Sequence, residues 1–276
     1  MTDELHKTIL SPEYLQRFGG VGRLYGQNAL VALHNAHLAV IGLGGVGTWV
    51  AEALARSGVG ELTLIELDDV CVTNTNRQSH ALKSNIGRSK NEVTSQRLKD
   101  INPEIIIHSI DDFIDQDNMN SFIGKQHHVV IDAMDAAHIK ARLVAYCLAI
   151  KVRLITVGSS GGKRDPQQVR VSDLGRTESD PMLVKIRTQL YRHFNFSRDK
   201  NRKFRVDAVF STEQMVYPKP DGSVCMDKQF LETGVKLDCA GGFGSSVMVT
   251  GTFGFVAATK AIERYLEKHA KSNTWG

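Results

Sequence analysis

Residues 37–41, His-Leu-Ala-Val-Ile, run straight into the glycines of 42–47, and an Ala-rich helical stretch follows over 46–57, stopped by Gly58 and Gly60. A short apolar run bounded by glycines reads as a buried strand. The unit recurs. Strand-like runs at 61–66, 104–108, 129–132 and 153–157 alternate with helical stretches at 87–101 and 136–150. The residue before a proline avoids the helical region, so Asn102-Pro103 halts the helix over 87–101. Strands alternating with helices predict an α/β fold with a doubly wound, mostly parallel, Rossmann-like sheet.

After Val157 the rhythm breaks. Residues 158–163 read as a loop that Asp165-Pro166 extends, followed by a helix over 181–194 and an edge strand at 207–211. Residues 217–222 read as a turn or exposed lobe, and an amphipathic helix over 247–269 closes the chain. The expected organisation is a nucleotide-binding core with an N-terminal helical segment over 1–160. A C-terminal extension over 161–276 packs on that same domain.

With 276 residues, 42% hydrophobic and 23% charged, the chain is neither disordered nor a small disulfide scaffold. Cys71, Cys147, Cys225 and Cys239 form no C-x-x-C pair, which leaves structural zinc and thioredoxin chemistry without support. Free thiols in a reducing compartment are the simplest reading. Residues 1–20 lack the apolar run of a signal peptide. The uncharged stretch 239–259 is rich in glycine, so a buried loop leading into a core helix is expected there, not a membrane span. The expected location is cytoplasmic.

The glycine loop carries the first chemical signal. Gly42 permits a tight turn, Gly44 lets phosphates approach the backbone, and Gly47 lets helix and strand pack closely. The helix that follows offers unpaired N–H donors to an anion. Gly42, Gly44 and Gly47 also satisfy the dinucleotide fingerprint, with Glu66 placed to grip a ribose. On the loop alone, NAD is the favoured ligand. The residues beyond Glu66 shift that balance: Asp68, Asn74 and Arg77 follow directly, Lys90 opens the next helix, and Asp132 and Asp135 follow the 129–132 run. Two cations plus a carboxylate suit a triphosphate with a bound divalent ion, whose leaving pyrophosphate needs neutralising. The loop lacks the G-x-x-x-x-G-K-[ST] pattern of a P-loop.

The set 42–47, 66–78 (ending Asn74-x-x-Arg77-Gln78), Lys90 and Asp135 resembles the ubiquitin-activating-enzyme-like superfamily of adenylating enzymes, over about 17–162. Residues 17–26, Arg-Phe-Gly-Gly-Val-Gly-Arg-Leu-Tyr-Gly, resemble the branch that dehydrates threonylcarbamoyladenosine beside the tRNA anticodon. The resemblance implies that Gly42, Gly44, Gly45 and Gly47 cradle the phosphates of ATP and that Glu66 holds the ribose, where the superfamily commonly has Asp. Asp68 and Asn74 would line the nucleotide site, and Arg77 and Lys90 would stabilise the departing pyrophosphate. Asp135 would position magnesium, and Arg17 or Arg23 would cross a homodimer interface to the partner's ATP. The implied reaction adenylates the threonyl carboxylate; the neighbouring carbamoyl oxygen then closes a ring and expels AMP. An intramolecular nucleophile needs no catalytic cysteine.

A second signal is the basic segment. Lys185, Arg187, Arg192, Arg198, Lys200, Arg202, Lys203 and Arg205 face one acid, Asp199, a local excess of seven positive charges in a chain whose net charge is +4. Tyr191, His193, Phe194, Phe196 and Phe204 are interleaved with them. Cations track a phosphate backbone and exposed aromatics stack on bases, so tRNA is the expected partner. The bland alternative is a solvated face with core aromatics. Bland readings also hold elsewhere: Asp132 as a helix cap, His127-His128 as a surface feature, Cys239 as a buried apolar residue, and Lys90, taken alone, as a solvated helix residue. Rival functions are activation of a small sulfur-carrier protein, a sulfur-relay partnership, an NAD dehydrogenase, and a non-enzymatic tRNA-binding protein. Whether loop carbonyls hold a monovalent cation (K+ or Na+) is left open.

Overall fold

A computed structural model of the chain describes residues 9–199, 201–219, 221–226 and 243–273. Two N-terminal helices, α1 (Pro12–Tyr25) and α2 (Gln27–His34), lead into β1 (His37–Ile41), α3 (Gly47–Arg56) and β2 (Glu61–Ile65). Then come α4 (Lys90–Ile101), β3 (Ile106–Ile110), the short α5 (Met119–Phe122), β4 (Val129–Asp132), α6 (Ala137–Ala149) and β5 (Arg153–Val157). The C-terminal part supplies β6 (Val169–Asp173), α7 (Pro181–His193), β7 (Asp207–Ser211), the two-residue strands β8 (Tyr217–Pro218) and β9 (Val224–Cys225), and α8 (Val247–Asn273).

Seven strands form one sheet in the order β3-β2-β1-β4-β5-β7-β6, and only the β6–β7 pair is antiparallel. The chain leaves β1 in one direction through β2 and β3, then returns to β1's other side as β4. That reversal is the switch point where such sheets bind ligands beyond the strand C-termini. Every residue of β1 is buried, and the side chains alternate between two cores. Leu38 and Val40 meet Val50, Leu54, Phe253 and Ala257 of α3 and α8. Ala39 and Ile41 meet Val144, Leu183 and Ile186 of α6 and α7. Helix α8 therefore covers the same face as α3, and the C-terminal third helps to build the core beneath the glycine loop.

Several expectations change. The strand at 207–211 is not an edge: β7 pairs with β5 on one side and β6 on the other. The true edge, β6, reads Val-Arg-Val-Ser-Asp, too polar to register as a strand, because one flank faces solvent. The third strand lies at Ile106–Ile110, two residues later than expected, since the Ile105 N–H donates to the Asn102 carbonyl and closes a turn. Helix α4 starts at Lys90, where the Ser89 hydroxyl caps the Glu92 N–H. Strands β8 and β9 pair antiparallel, Tyr217 with Cys225 and Pro218 with Val224, where a turn or exposed lobe was expected at 217–222. Among the described residues, no helix is long and apolar enough to cross a membrane.

Candidate active site

The loop after β1 is shaped by what its glycines exclude. Gly42 has φ 85°, the left-handed region that favours glycine, and a Cβ there would sit 3.2 Å from the Ala133 carbonyl oxygen. At Gly47 a Cβ would fall 1.7 Å from the Gly42 oxygen, so loop and helix can meet only through glycine. Gly44 differs, because nothing lies within 4 Å of its missing side chain. Its open face is where a ligand could reach the backbone. The start of α3, with Val46 as an N-cap that makes no side-chain bond, brings the positive end of the helix dipole to the same place, while the Thr48 and Trp49 N–H groups are taken by the Gly44 and Val46 carbonyls.

Glu66 is buried at the end of β2. Its Oε2 accepts the Leu43 N–H at 2.8 Å, and its Oε1 accepts those of Leu67 and Asp68 at 3.0 Å. The longer Glu side chain thereby reaches back and ties the glycine loop to β2. A carboxylate has about four acceptor sites, which leaves capacity for a ribose hydroxyl.

Residues 68–90 then wrap around the loop. Lys90 is almost wholly buried and pairs with Asp68 at 2.8 Å, so the solvated reading of this lysine does not hold. A cation in a helix's first turn opposes the helix dipole, and Asp68 offsets it. Arg77 lays its stem on the loop: a Cβ at Gly45 would meet its Cγ at 3.1 Å. Its guanidinium donates to the Thr73 carbonyl at 2.9 Å and to Asn76 Oδ1 at 3.0 Å, while Trp49 Nε1 donates to its carbonyl at 2.9 Å. Asn74 is buried and spends its side-chain oxygen on the Cys71 N–H. Asn76 donates to the Ser245 carbonyl, which seats the start of α8 against this loop.

Beyond β4, Asp135 is exposed and has no hydrogen-bond partner among the described residues. Asp132 is not a helix cap. Its Oδ1 pairs with Lys140 Nζ at 2.8 Å, its Oδ2 accepts the Thr156 hydroxyl, and both ion-pair side chains are wholly excluded from solvent. Lys140 Nζ also donates to the carbonyls of Asp132 and Met134, so it staples the turn that carries Asp135. Lys140 was missed in the sequence. Its only signal is its place in the first turn of the helix, eight residues after Asp132. His80 was missed too. It is buried between Thr48 and Thr94, its Nε2 lies 2.9 Å from Gln78 Oε1, and burial lowers its pKa to about 4. It joins the 68–90 segment to α3 and α4.

Arg17 is not gathered at the loop. It is exposed on α1 and, with Arg56, Arg88 and Arg97, lines a cavity of about 470 Å³ that none of the loop glycines borders. Cys71 is exposed beside the site, its thiol held below the usual range by the Thr73 hydroxyl. Cys239 and Lys200 lie outside the described residues. The His127-His128 pair is not a surface feature, since His127 is buried.

The basic segment keeps its charges outward but not its rings. Lys185, Arg192, Arg198, Arg202, Lys203 and Arg205 are exposed, whereas Arg187 is half-buried and bonds to Thr177. Phe204 is buried, and Tyr191, Phe194 and Phe196 pack around it against the α6–α7 core. The aromatics therefore anchor the segment, and Arg198 lies 4.8 Å over the Tyr191 ring. A cavity of about 440 Å³ opens between Phe196, Ser197, Arg202, Lys203 and Arg205.

A glycine loop at the switch point, with Arg77 packed on Gly45 and an exposed carboxylate, Asp135, one residue beyond the Ala133–Met134 backbone that touches Gly42, fits a class of nucleotide-using adenylating α/β enzymes. The chain matches the ThiF family over residues 20–275 and belongs to that family. It is 48% identical over 263 residues to the tRNA threonylcarbamoyladenosine dehydratase of Escherichia coli strain K12, covering 95% of this chain and 98% of that protein. It is also 48% identical over 255 residues to the enzyme of that name from Haemophilus influenzae, across 92% and 95% of the two chains. The crystal structure of the E. coli tRNA N6-threonylcarbamoyladenosine dehydratase in complex with ATP superposes with a TM-score of 0.85 at 44% identity, over 96% of this chain and 99% of that one.

Proposed function

We propose that this protein is an ATP-dependent tRNA threonylcarbamoyladenosine dehydratase that works by carboxylate adenylation. The observation that carries the reading is the union of an open Gly44 face with Arg77 packed on Gly45 and a buried Lys90 paired with exposed Asp68. Full-length likeness to the dehydratases supports it over carrier-protein activation.

In this reading Gly42, Gly44, Gly45 and Gly47 shape the phosphate cradle, Glu66 and Asp68 border the ribose side, and Asn74 holds the 71–77 turn in place. Arg77 and Lys90 neutralise charge as pyrophosphate leaves. The threonyl carboxylate attacks the α-phosphorus and pyrophosphate departs. The carbamoyl oxygen then attacks the activated carbonyl and AMP leaves with the oxygen lost from the substrate. Asp135 suits magnesium, being an unpaired hard oxygen donor beside the cradle. A bound Mg2+ would supply charge neutralisation across the phosphates.

Residues 1–160 form the ATP-binding part in this reading and 161–276 the extension, on which Lys185, Arg187, Arg192, Arg198, Lys200, Arg202, Lys203 and Arg205 meet the tRNA backbone. A homodimer would bring Arg17 to the partner's site. Exposed Met248 and Phe255, seven residues apart on α8, are consistent with an apolar face for a second copy. A cytoplasmic location, a monovalent cation (K+ or Na+) at the glycine-rich loop and a sulfur-relay protein partner belong to the same reading.

The test is mass analysis of nucleosides from threonylcarbamoylated tRNA after incubation with the protein and Mg-ATP. A product lighter by one water, absent with Lys90→Ala and Asp135→Ala, is expected. No mass change despite intact tRNA binding would overturn the reading in favour of carrier-protein activation.

A further inference from the structure

At the end of the sheet opposite the glycine loop, three side chains converge that the reaction does not use. His37 opens β1, Glu61 opens β2, and His108 lies in edge strand β3 opposite Thr63. Glu61 Oε1 stands 3.4 Å from His37 Nδ1 and 2.6 Å from His108 Nε2, and the three ligand atoms all lie within 4.8 Å of one another. We propose that His37 Nδ1, the Glu61 carboxylate and His108 Nε2 form a site for a divalent transition-metal ion of the zinc type, completed by water.

Two imidazoles and a carboxylate are a common donor set for such an ion. Bonds of about 2.1 Å in a tetrahedron set ligands about 3.4 Å apart. Glu61 and His37 already stand at that spacing, whereas Glu61 and His108 must part by about 0.8 Å, and both are free to move. The side chains of Glu61 and His108 are 32% and 49% exposed, which also provides the entry path.

The surroundings resemble the supporting shell of a metal histidine. His37 Nε2 lies 2.8 Å from Thr63 Oγ1. With the ring proton on Nε2, Nδ1 keeps a lone pair directed at the cluster. His127 fixes the other side of that hydroxyl: its Nδ1 accepts the Gly124 N–H, so its Nε2 donates to Thr63 at 3.1 Å. A hydroxyl oxygen can accept both imidazole donors. The His37 N–H in turn donates to His128 Nδ1 at 2.9 Å.

Such an ion would clamp the exposed edge strand β3 to β2 and β1. It would act as a structural staple, remote from the adenylation site.

The test is zinc titration by calorimetry of the metal-stripped full-length protein, beside His108→Ala, Glu61→Gln and Thr63→Val, with thermal melts with and without zinc. One ion per chain is expected. Thr63→Val should weaken binding by about 10–100-fold, and loss of either ligand by more. Zinc should raise the Tm of the parent protein most, that of Thr63→Val less, and those of His108→Ala and Glu61→Gln least. ATP binding should be the same in all variants, so failure here leaves the dehydratase reading standing. Absence of zinc binding, or equal binding in His108→Ala and Glu61→Gln, would overturn the proposal.

Discussion

Lys140→Met tests whether the turn bearing Asp135 is held by a single buried cation. Methionine nearly preserves the volume but removes three donor contacts, to Asp132 Oδ1 at 2.8 Å and to the carbonyls of Asp132 and Met134 at 3.1 and 3.0 Å. Asp132 keeps the Thr156 hydroxyl at 2.8 Å and the Met134 N–H at 3.3 Å, with no countercharge and no access to water. Removing one partner of a buried pair costs about 3–5 kcal/mol. Adding Asp132→Asn removes the stranded charge but leaves two carbonyls short of a donor, each worth about 1–3 kcal/mol. Those carbonyls are short of a donor in both variants, so the double variant should regain what the stranded charge cost, a coupling that urea unfolding of the four proteins measures directly. In Lys140→Met protein the magnesium concentration for half-maximal pyrophosphate release should rise, because Asp135 sits on the released turn. A single-variant loss below about 1 kcal/mol, or strict additivity, would refute the argument.

Gly44→Ala and Gly47→Ala should separate cradle from packing: the first keeps the parent Tm but loses at least about tenfold in ATP affinity, or about 1.4 kcal/mol, while the second fails to fold normally, as circular dichroism would register. Burial holds His80 and His127 down to about 4, against about 6.5 in an unfolded chain. The unfolded state binds the extra protons between those values, so stability is full above pH 6.5 and falls towards pH 4, by up to about 1.4 kcal/mol per pH unit for each ring. His127→Gln should roughly halve that slope in urea midpoints. Replacing exposed Arg192, Arg202 and Lys203 by Gln should flatten the log–log salt dependence of tRNA binding by about 2, at about 0.7 per phosphate contact, and leave ATP binding unchanged. An unaltered slope would place the RNA elsewhere.

Strands β1, β4 and β5 were legible because a buried parallel strand is mostly apolar, and each carries a short apolar run: 38–41, 129–131 and Leu154-Ile155 with Val157. Strand β6 was not, since its burial is partial and its partner β7 arrives 34 residues later through α7. Nothing local in 207–211 tells an edge from an interior position. The glycines, Arg77 and Lys90 stood out by spacing, but the Lys90–Asp68 pair and the reach of Glu66 to Leu43 depend on how β2 and α4 dock. His127 read as a surface residue and Lys140 drew no reading, because imidazole and charge usually lie outside; only the facing Thr63 and Asp132 make their burial tolerable. The aromatics of the basic segment followed the same rule in reverse, the nearby α6–α7 core claiming them before any base could.

The indole of Trp49 is bonded to the backbone of Arg77 and stands edge-on to Phe255 of α8. The chain has only two tryptophans, and the other, Trp275, is next to last in the sequence. A Trp275→Phe protein would thus carry a single tryptophan wedged between the loop that holds Arg77 and the last helix. Its emission would report nucleotide arrival in real time, with no label attached, and would time each event of a turnover from inside the molecule.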